Sequence, residues 1–127
     1  MAIVRFDPFG GFTTVQSWVP AVDIYETDGH DLLIKAELSD MTREDIDVTV
    51  ENNTLTVRGE RKWPAEIKEE QFRRVERHFG AFTRSFTLPN TVDPSKVSAE
   101  YKNGVLTVKL PFREEAKPRT INVEVAA

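Results

Sequence analysis

The sequence predicts an antiparallel β-sandwich, and three observations carry that reading. From residue 21 onward apolar residues recur at every second position, the pattern of strands with one buried face. Two tight turn signals, Asn52-Asn53 and Asn103-Gly104, each sit between two such runs. No long amphipathic helix interrupts the series, so short strands with turns between them must supply the layers.

The elements follow in chain order. Leu32, Ile34, Ala36 and Leu38 share one face of the first run, while Lys35 and Glu37 point away. Ile46, Val48 and Val50 do the same in the next run, with Asp47, Thr49 and Glu51 outward. Leu55 and Val57 follow the Asn52-Asn53 turn, and Asn tolerates the positive φ a two-residue hairpin loop requires. That loop sets Val50 opposite Leu55 and Val48 opposite Val57, so all four apolar residues stay on one face. Phe82, Phe86 and Leu88 alternate with Thr83, Ser85 and Thr87 until Pro89 stops the strand. Val97, Ala99 and Tyr101 lead into Asn103-Gly104, and Leu106, Val108 and Leu110 lead away. The expected pairs there are Tyr101 with Leu106 and Ala99 with Val108.

Three segments stand outside this pattern. Residues 1–18 hold Phe6, Phe9, Phe12 and Trp18 around Gly10-Gly11, large aromatics in a segment too short to pack itself. Residues 61–79 are rich in charge, and Phe72, Val75 and Phe79 fall at helical spacing, so part of this segment is expected as helix. Residues 111–120, with Pro111 and Pro118, read as an extended tether. The tether leads to Ile121-Asn122-Val123-Glu124-Val125, an alternating peptide suited to adding a strand to an open sheet edge.

Composition narrows the function classes. The chain has 127 residues, enough for one domain with a modest core. Hydrophobic residues make up 39% and charged residues 30%, a globular rather than disordered balance. No apolar run is long enough for a membrane helix, and the first residues lack the pattern of a secretion leader. Cysteine is absent, so disulfides and thiolate chemistry are excluded. The expected location is cytoplasmic. A net charge of −4 speaks against nucleic acid or an anionic membrane as the main partner. Arg61-Lys62 and the Arg73–Arg77 group are interleaved with glutamates, which reads as a solvated face.

Catalytic patterns are missing. His30 and His78 are distant in sequence, and neither sits in a nucleophile or metal-ligand spacing. Asp23, Asp28 and Asp31 lack the spacing of a calcium loop and read as a turn-rich cluster. The six glycines never build a phosphate-binding loop. No enzyme, no cofactor and no metal are expected. Arg84 is the exception to the bland pattern, because its parity places it on the face of Phe82 and Phe86. Two readings stand: an arginine snorkelling at a strand end, or a buried or interfacial one that needs a carboxylate.

Several segments also resemble a known family. Ala99-Glu100-Tyr101-Lys102-Asn103-Gly104-Val105-Leu106 resembles the A-x-x-x-n-G-V-L signature of the α-crystallin domain of small heat shock proteins. Trp18 to Glu26 resembles the start of that domain in bacterial and plant-type members. Phe72-Arg73-Arg74-Val75-Glu76-Arg77, the run Phe82 to Pro89 and the Ile121-x-Val123 tail are similar to three more of its motifs. The likeness spans about residues 18–125, in the family's order.

The resemblance implies an immunoglobulin-like antiparallel β-sandwich with flexible N- and C-terminal extensions. It divides the chain into an aromatic arm (1–18), the domain (19–111) and a C-terminal extension (112–127). Residues 61–79 would be a dimerisation loop whose strand, Phe72 to Arg77, swaps into a partner, in conflict with the helical pattern. Phe72, Arg73, Arg74, Val75 and Arg84 would form the dimer interface. Ile121 and Val123 would enter a neighbour's groove near Val48, Val50, Val97 and Ala99. The implied function is ATP-independent holding of unfolding client proteins, which ATP-driven chaperones later refold. Client contact falls to Phe6, Phe9, Phe12 and Trp18, or those aromatics cement the oligomer. The arm is shorter than is usual in the family, which favours a dimer or a small assembly over a large cage. The alternative is a p23-like co-chaperone sandwich that binds one dedicated partner.

Overall fold

A computed structural model describes the backbone of residues 3–7 and 11–15, and residues 18–126 throughout. Its strands are β1 (Ile3–Asp7), β2 (Gly11–Val15), β3 (Val22–Glu26), β4 (Asp31–Glu37), β5 (Ile46–Glu51), β6 (Thr54–Arg61), β7 (Gly80–Thr87), β8 (Ser98–Lys102) and β9 (Val105–Pro111). β3-β4-β9-β8 form one antiparallel sheet and β5-β6-β7 a second. The described helical elements are single 3-10 turns.

Both tight hairpins take the register that alternation requires. Val50 pairs with Leu55 and Val48 with Val57 across β5 and β6. Tyr101 pairs with Leu106 and Ala99 with Val108 across β8 and β9. Their loops lie in the left-handed region, with φ of 51° and 62° at Asn52 and Asn53 and 54° and 77° at Asn103 and Gly104. Two successive positive φ values match the right-handed twist of the flanking strands, and few residue types other than Asn and Gly accept them cheaply.

The core lies between the two sheets. Ile34, Ala36, Leu106, Val108 and Leu110 of the wider sheet meet Leu55, Val57 and Phe82 of the narrower one, with Leu38, Leu88 and Val92 closing the ends. Each apolar side chain fully buried there contributes roughly 1.5–3 kcal/mol. β9 continues into tethered chain: the Phe112 amide donates to the His30 carbonyl, the Arg113 amide to that of Thr91 and the Asp93 amide to that of Pro111. The tether itself is not extended from its start, because a 3-10 turn at Glu114–Ala116 interrupts it.

Two further segments depart from the sequence reading. The N-terminal aromatic segment pairs with itself, β1 against β2, with Phe6 and Phe12 as Cα partners. The β-branched and aromatic runs that flank Pro8-Phe9-Gly10 are the sequence signal for this hairpin. The second departure is at residues 61–79, which form no α-helix; their one regular piece is a 3-10 turn at Glu69–Gln71. Phe72 and Phe79 owe their spacing to a shared partner, Trp63. The Phe79 ring stacks on Trp63 at 4.2 Å and Phe72 meets it edge-on at 5.3 Å.

Candidate interaction surfaces

A sheet edge is a row of unpaired backbone donors and acceptors, so four edges in a sandwich invite partners. On one side, β5 and β8 are both edge strands. Between them lies a cleft of about 220 Å³ lined by Arg43, Ile46, Val48, Ala99, Tyr101 and Leu106. Local chemistry sets its rim. The Asp45 carboxylate accepts from the Thr42 amide at 3.1 Å and hydroxyl at 3.0 Å, which caps the 3-10 turn Arg43–Asp45 leading into β5. Those bonds, with Lys62 beside them at 3.4 Å, hold the Asp45 pKa below its ordinary value. The Tyr101 hydroxyl donates to the Leu38 carbonyl and fixes the ring at the same end.

Of the four groove residues expected from the sequence, Val48 and Ala99 line this cleft. Val50 and Val97, like Val48, are half-buried against the core cluster. Arg43, Ile46 and Tyr101 were missed, though the parity of Ile46 and Tyr101 pointed to the same surface. The tail residues lie far from any cover: Ile121 is 74% exposed, Val123 89% and Val125 94%. Three exposed aliphatic residues alternating in one peptide form an apolar stripe that no described residue covers.

The opposite side of the sandwich is built differently. β3 is the outer strand of the four-stranded sheet, and Ile24 pairs with the core residue Ile34, so both share the inward face. Ile24 is nonetheless 49% exposed, because the three-stranded sheet stops short of it. Arg84 on β7 reaches the chain that leads into β3. Its NH1 donates to the Pro20 carbonyl at 2.9 Å, and its guanidinium lies 5.4 Å from the Phe86 ring centre. The half-buried charge is thus met by a carbonyl and a ring within the chain, and no carboxylate pairs with it among the described residues.

Residues Phe72 to Arg77 are irregular and pair with no strand of the described chain. Phe72 and Val75 are half-buried, whereas Arg73 and Arg74 are exposed. Arg73 donates to the Glu70 carbonyl at 3.2 Å, and Arg77 lies 3.4 Å from Asp40.

Two expectations are corrected at the base of this loop. Trp18, expected among the client contacts, is only 9% exposed and belongs to the core cluster. Its ring packs on Phe82 at 5.0 Å and on His78 at 6.2 Å, and its Nε1 donates to the Gly80 carbonyl at 2.9 Å. Arg61, read as part of a solvated face, is 6% exposed. Its Nε donates to Ser39 at 3.0 Å, its NH1 to the His78 carbonyl at 2.8 Å, and its guanidinium covers Trp18 at 4.4 Å. Burial, aided by the nearby Arg77 charge, lowers the Arg61 pKa, but a guanidinium remains charged. Interleaved glutamates could not reveal this, because the carbonyls that satisfy Arg61 come from segments distant in sequence. Phe6, Phe9 and Phe12 have side chains outside the described residues.

Among the described residues, no group of three or more His, Asp or Glu side chains gathers to hold a metal ion. None of their helices is long and apolar enough to cross a membrane. A family model described as the Hsp20/alpha crystallin family matches residues 24–125. The chain belongs to that family.

Small heat shock proteins of this family are chaperones rather than enzymes, and membership supports a chaperone role, client binding and self-association here. Among similar proteins, Small heat shock protein C2 of Rickettsia felis is 34% identical over 113 residues, covering 88% of this chain and 72% of that protein. Spore protein SP21 of Stigmatella aurantiaca is 41% identical over 107 residues, 84% of this chain and 63% of that one. The chain therefore spans less than two thirds of the latter's length. A solved small heat-shock protein from Xylella fastidiosa, described as having a distinct high order structure, superposes with a TM-score of 0.72. It is 34% identical and covers 87% of this chain and all of its own. The two-sheet sandwich and its strand order are thus the α-crystallin domain.

Proposed function

We propose that this small heat shock protein is an ATP-independent holding chaperone that captures unfolding proteins and keeps them from aggregating. The observation that supports it most is a mismatch within one chain. An apolar stripe at Ile121, Val123 and Val125 stands exposed, and an apolar cleft lies open between β5 and β8. Both become satisfied when the tail of one copy enters the cleft of another, and both become available to clients when such contacts open. Each contact is small, and an assembly needs many at once, so modest heat releases them collectively.

The dimer is the proposed building block. Residues Phe72, Arg73, Arg74 and Val75 would leave the Trp63 corner and add as a strand to the partner's open β3 edge. Exposed Ile24 there favours this seat, and Arg84, bonded to the chain that leads into β3, would sit at the contact. Phe6, Phe9 and Phe12 are the proposed client-binding aromatics of the arm, within a division into arm (1–18), domain (19–111) and extension (112–127). Captured clients would pass to ATP-driven chaperones. A dedicated single-partner co-chaperone is disfavoured by the alternating tail, which such a role does not require.

The direct test is light scattering from a heat-labile client in nucleotide-free buffer. Suppression at near-equal subunit ratios is expected, and undiminished scattering would refute the holding activity. Replacing Ile121 and Val123 together by glycine is expected to reduce the assembly to dimers without changing the far-UV circular dichroism. Size-exclusion chromatography with multi-angle scattering reads this; an unchanged mass would remove the tail from the assembly.

A further inference from the structure

We propose that Asn103-Gly104 is a self-modifying site, closed while the β8–β9 hairpin is folded and opened by heat, at which Asn103 converts to aspartate and isoaspartate. It stands on the geometry of the turn alone and does not depend on how copies assemble.

The chemistry belongs to the residue pair. Once solvent base has taken its proton, the Gly104 amide nitrogen attacks the Asn103 side-chain carbonyl carbon, Cγ. The N–Cγ bond forms, the Cγ–NH2 bond breaks, and ammonia leaves with a proton from water. Water then adds to either carbonyl of the resulting five-membered imide. One opening gives aspartate; the other reroutes the chain through Cβ and gives isoaspartate. Among the asparagines, Asn103 alone precedes glycine, and a side chain on the following residue would crowd the attacking nitrogen. Asn103 is exposed, and the Gly104 amide donates to no described group.

The folded turn nevertheless blocks the attack. With φ of 54° at Asn103 and 77° at Gly104, the loop is type I′, the mirror image of type I, which sets ψ at its first position to about +30°. Ring closure needs the Gly104 nitrogen eclipsed with Cβ about the Asn103 Cα–C bond. At the turn's ψ the two atoms lie almost opposite one another, so nitrogen and Cγ cannot meet. The turn is also held from outside. The Gly104 carbonyl accepts from the Leu38 amide at 2.8 Å, and the Lys102–Val105 pair closes the loop. A Cβ on Gly104 would lie 3.2 Å from the Ser39 Cα, so main chain backs the turn and hinders rotation in place. Attack therefore waits for the hairpin to open. β8 is an edge strand, bonded on one side only, and local opening of such a strand costs less than global unfolding. Isoaspartate adds one backbone atom to a two-residue loop, so a reclosing hairpin cannot keep both the Lys102–Val105 pair and the Gly104–Leu38 bond. Damage thus accumulates with time spent open, on a strand that walls the cleft.

The test incubates the full chain and a synthetic peptide of residues 98–108 side by side, at temperatures up to the chain's thermal midpoint. Peptide mapping by mass spectrometry reads the amide-to-acid mass gain at Asn103, and electron-based fragmentation separates aspartate from isoaspartate. Far below the midpoint the folded chain should react at least about 10-fold more slowly than the peptide, and the two rates should converge at the midpoint. Equal rates at every temperature would show that the turn gives no protection. No reaction in the chain at its midpoint would show that the site never becomes reactive, and either result overturns the proposal. Asn103→Gly, which a type I′ turn accepts, is the control that cannot react. After the same heat treatment the wild-type midpoint should fall by on the order of 5 °C while that of the control holds. An equal fall in both would overturn the claim that the modification loosens the hairpin.

Discussion

Replacing Trp18 by alanine is expected to lower the unfolding free energy by about 3–5 kcal/mol, the range for deleting a buried Trp or Phe side chain. The ring is buried against Phe82, its Nε1 satisfies the Gly80 carbonyl, and its face carries the Arg61 guanidinium. Its loss opens a cavity and uncovers a buried cation at once. Trp18→Phe keeps an aromatic wall but drops the hydrogen bond, so a smaller loss of about 1–2 kcal/mol is expected. Urea unfolding followed by far-UV circular dichroism at one subunit concentration measures both, because the stability of a self-associating protein depends on concentration. A loss under about 1 kcal/mol for the alanine variant would contradict the core placement and return Trp18 to the exposed client contacts.

Gly59→Ala is the second large effect, and its sign is the informative part. In a permissive strand position, alanine for glycine stabilises by about 0.4–1 kcal/mol by restricting the unfolded chain. Gly59 sits in β6 between Ile46 of β5 and Phe82 of β7. A Cβ there would lie 2.4 Å from the Asp45 carbonyl oxygen and 2.9 Å from the Phe82 ring. The carbonyl belongs to the capped turn that leads into β5, so relief requires moving β5 or distorting the core. A destabilisation of about 3 kcal/mol is expected, with the thermal midpoint falling by on the order of 10 °C. An unchanged or raised midpoint would show that β5 can shift away from β6 at little cost. Because β5 also walls the cleft, the same variant should weaken assembly.

How much of this was legible in the chain depends on the range of the interaction involved. Hairpin registers were legible because a two-residue loop fixes them locally, and Asn52-Asn53 and Asn103-Gly104 name the loop type. The core followed from parity for the same reason. Parity also marked the cleft strands, yet not which residues line the opening. Val48 and Ala99 line it as expected, while Arg43 enters from a 3-10 turn that parity does not describe. The helical spacing of Phe72 and Phe79 had the right residues and the wrong cause, since two rings that share Trp63 mimic a helix face.

The sequence by itself determined the two-sheet α-crystallin architecture, its hairpin pairings and the apolar tail stripe, all properties of neighbours in the chain or of recognisable motifs. Tertiary structure decided that Trp18 and Arg61 are interior, that the β5–β8 cleft opens beside Arg43, and that β3 overhangs with Ile24 uncovered. Each of these joins residues far apart in sequence, as Arg61 does with Ser39 and His78. Burial of a charge or exposure of an aliphatic side chain depends on what the rest of the fold places over it, and periodicity carries no record of that.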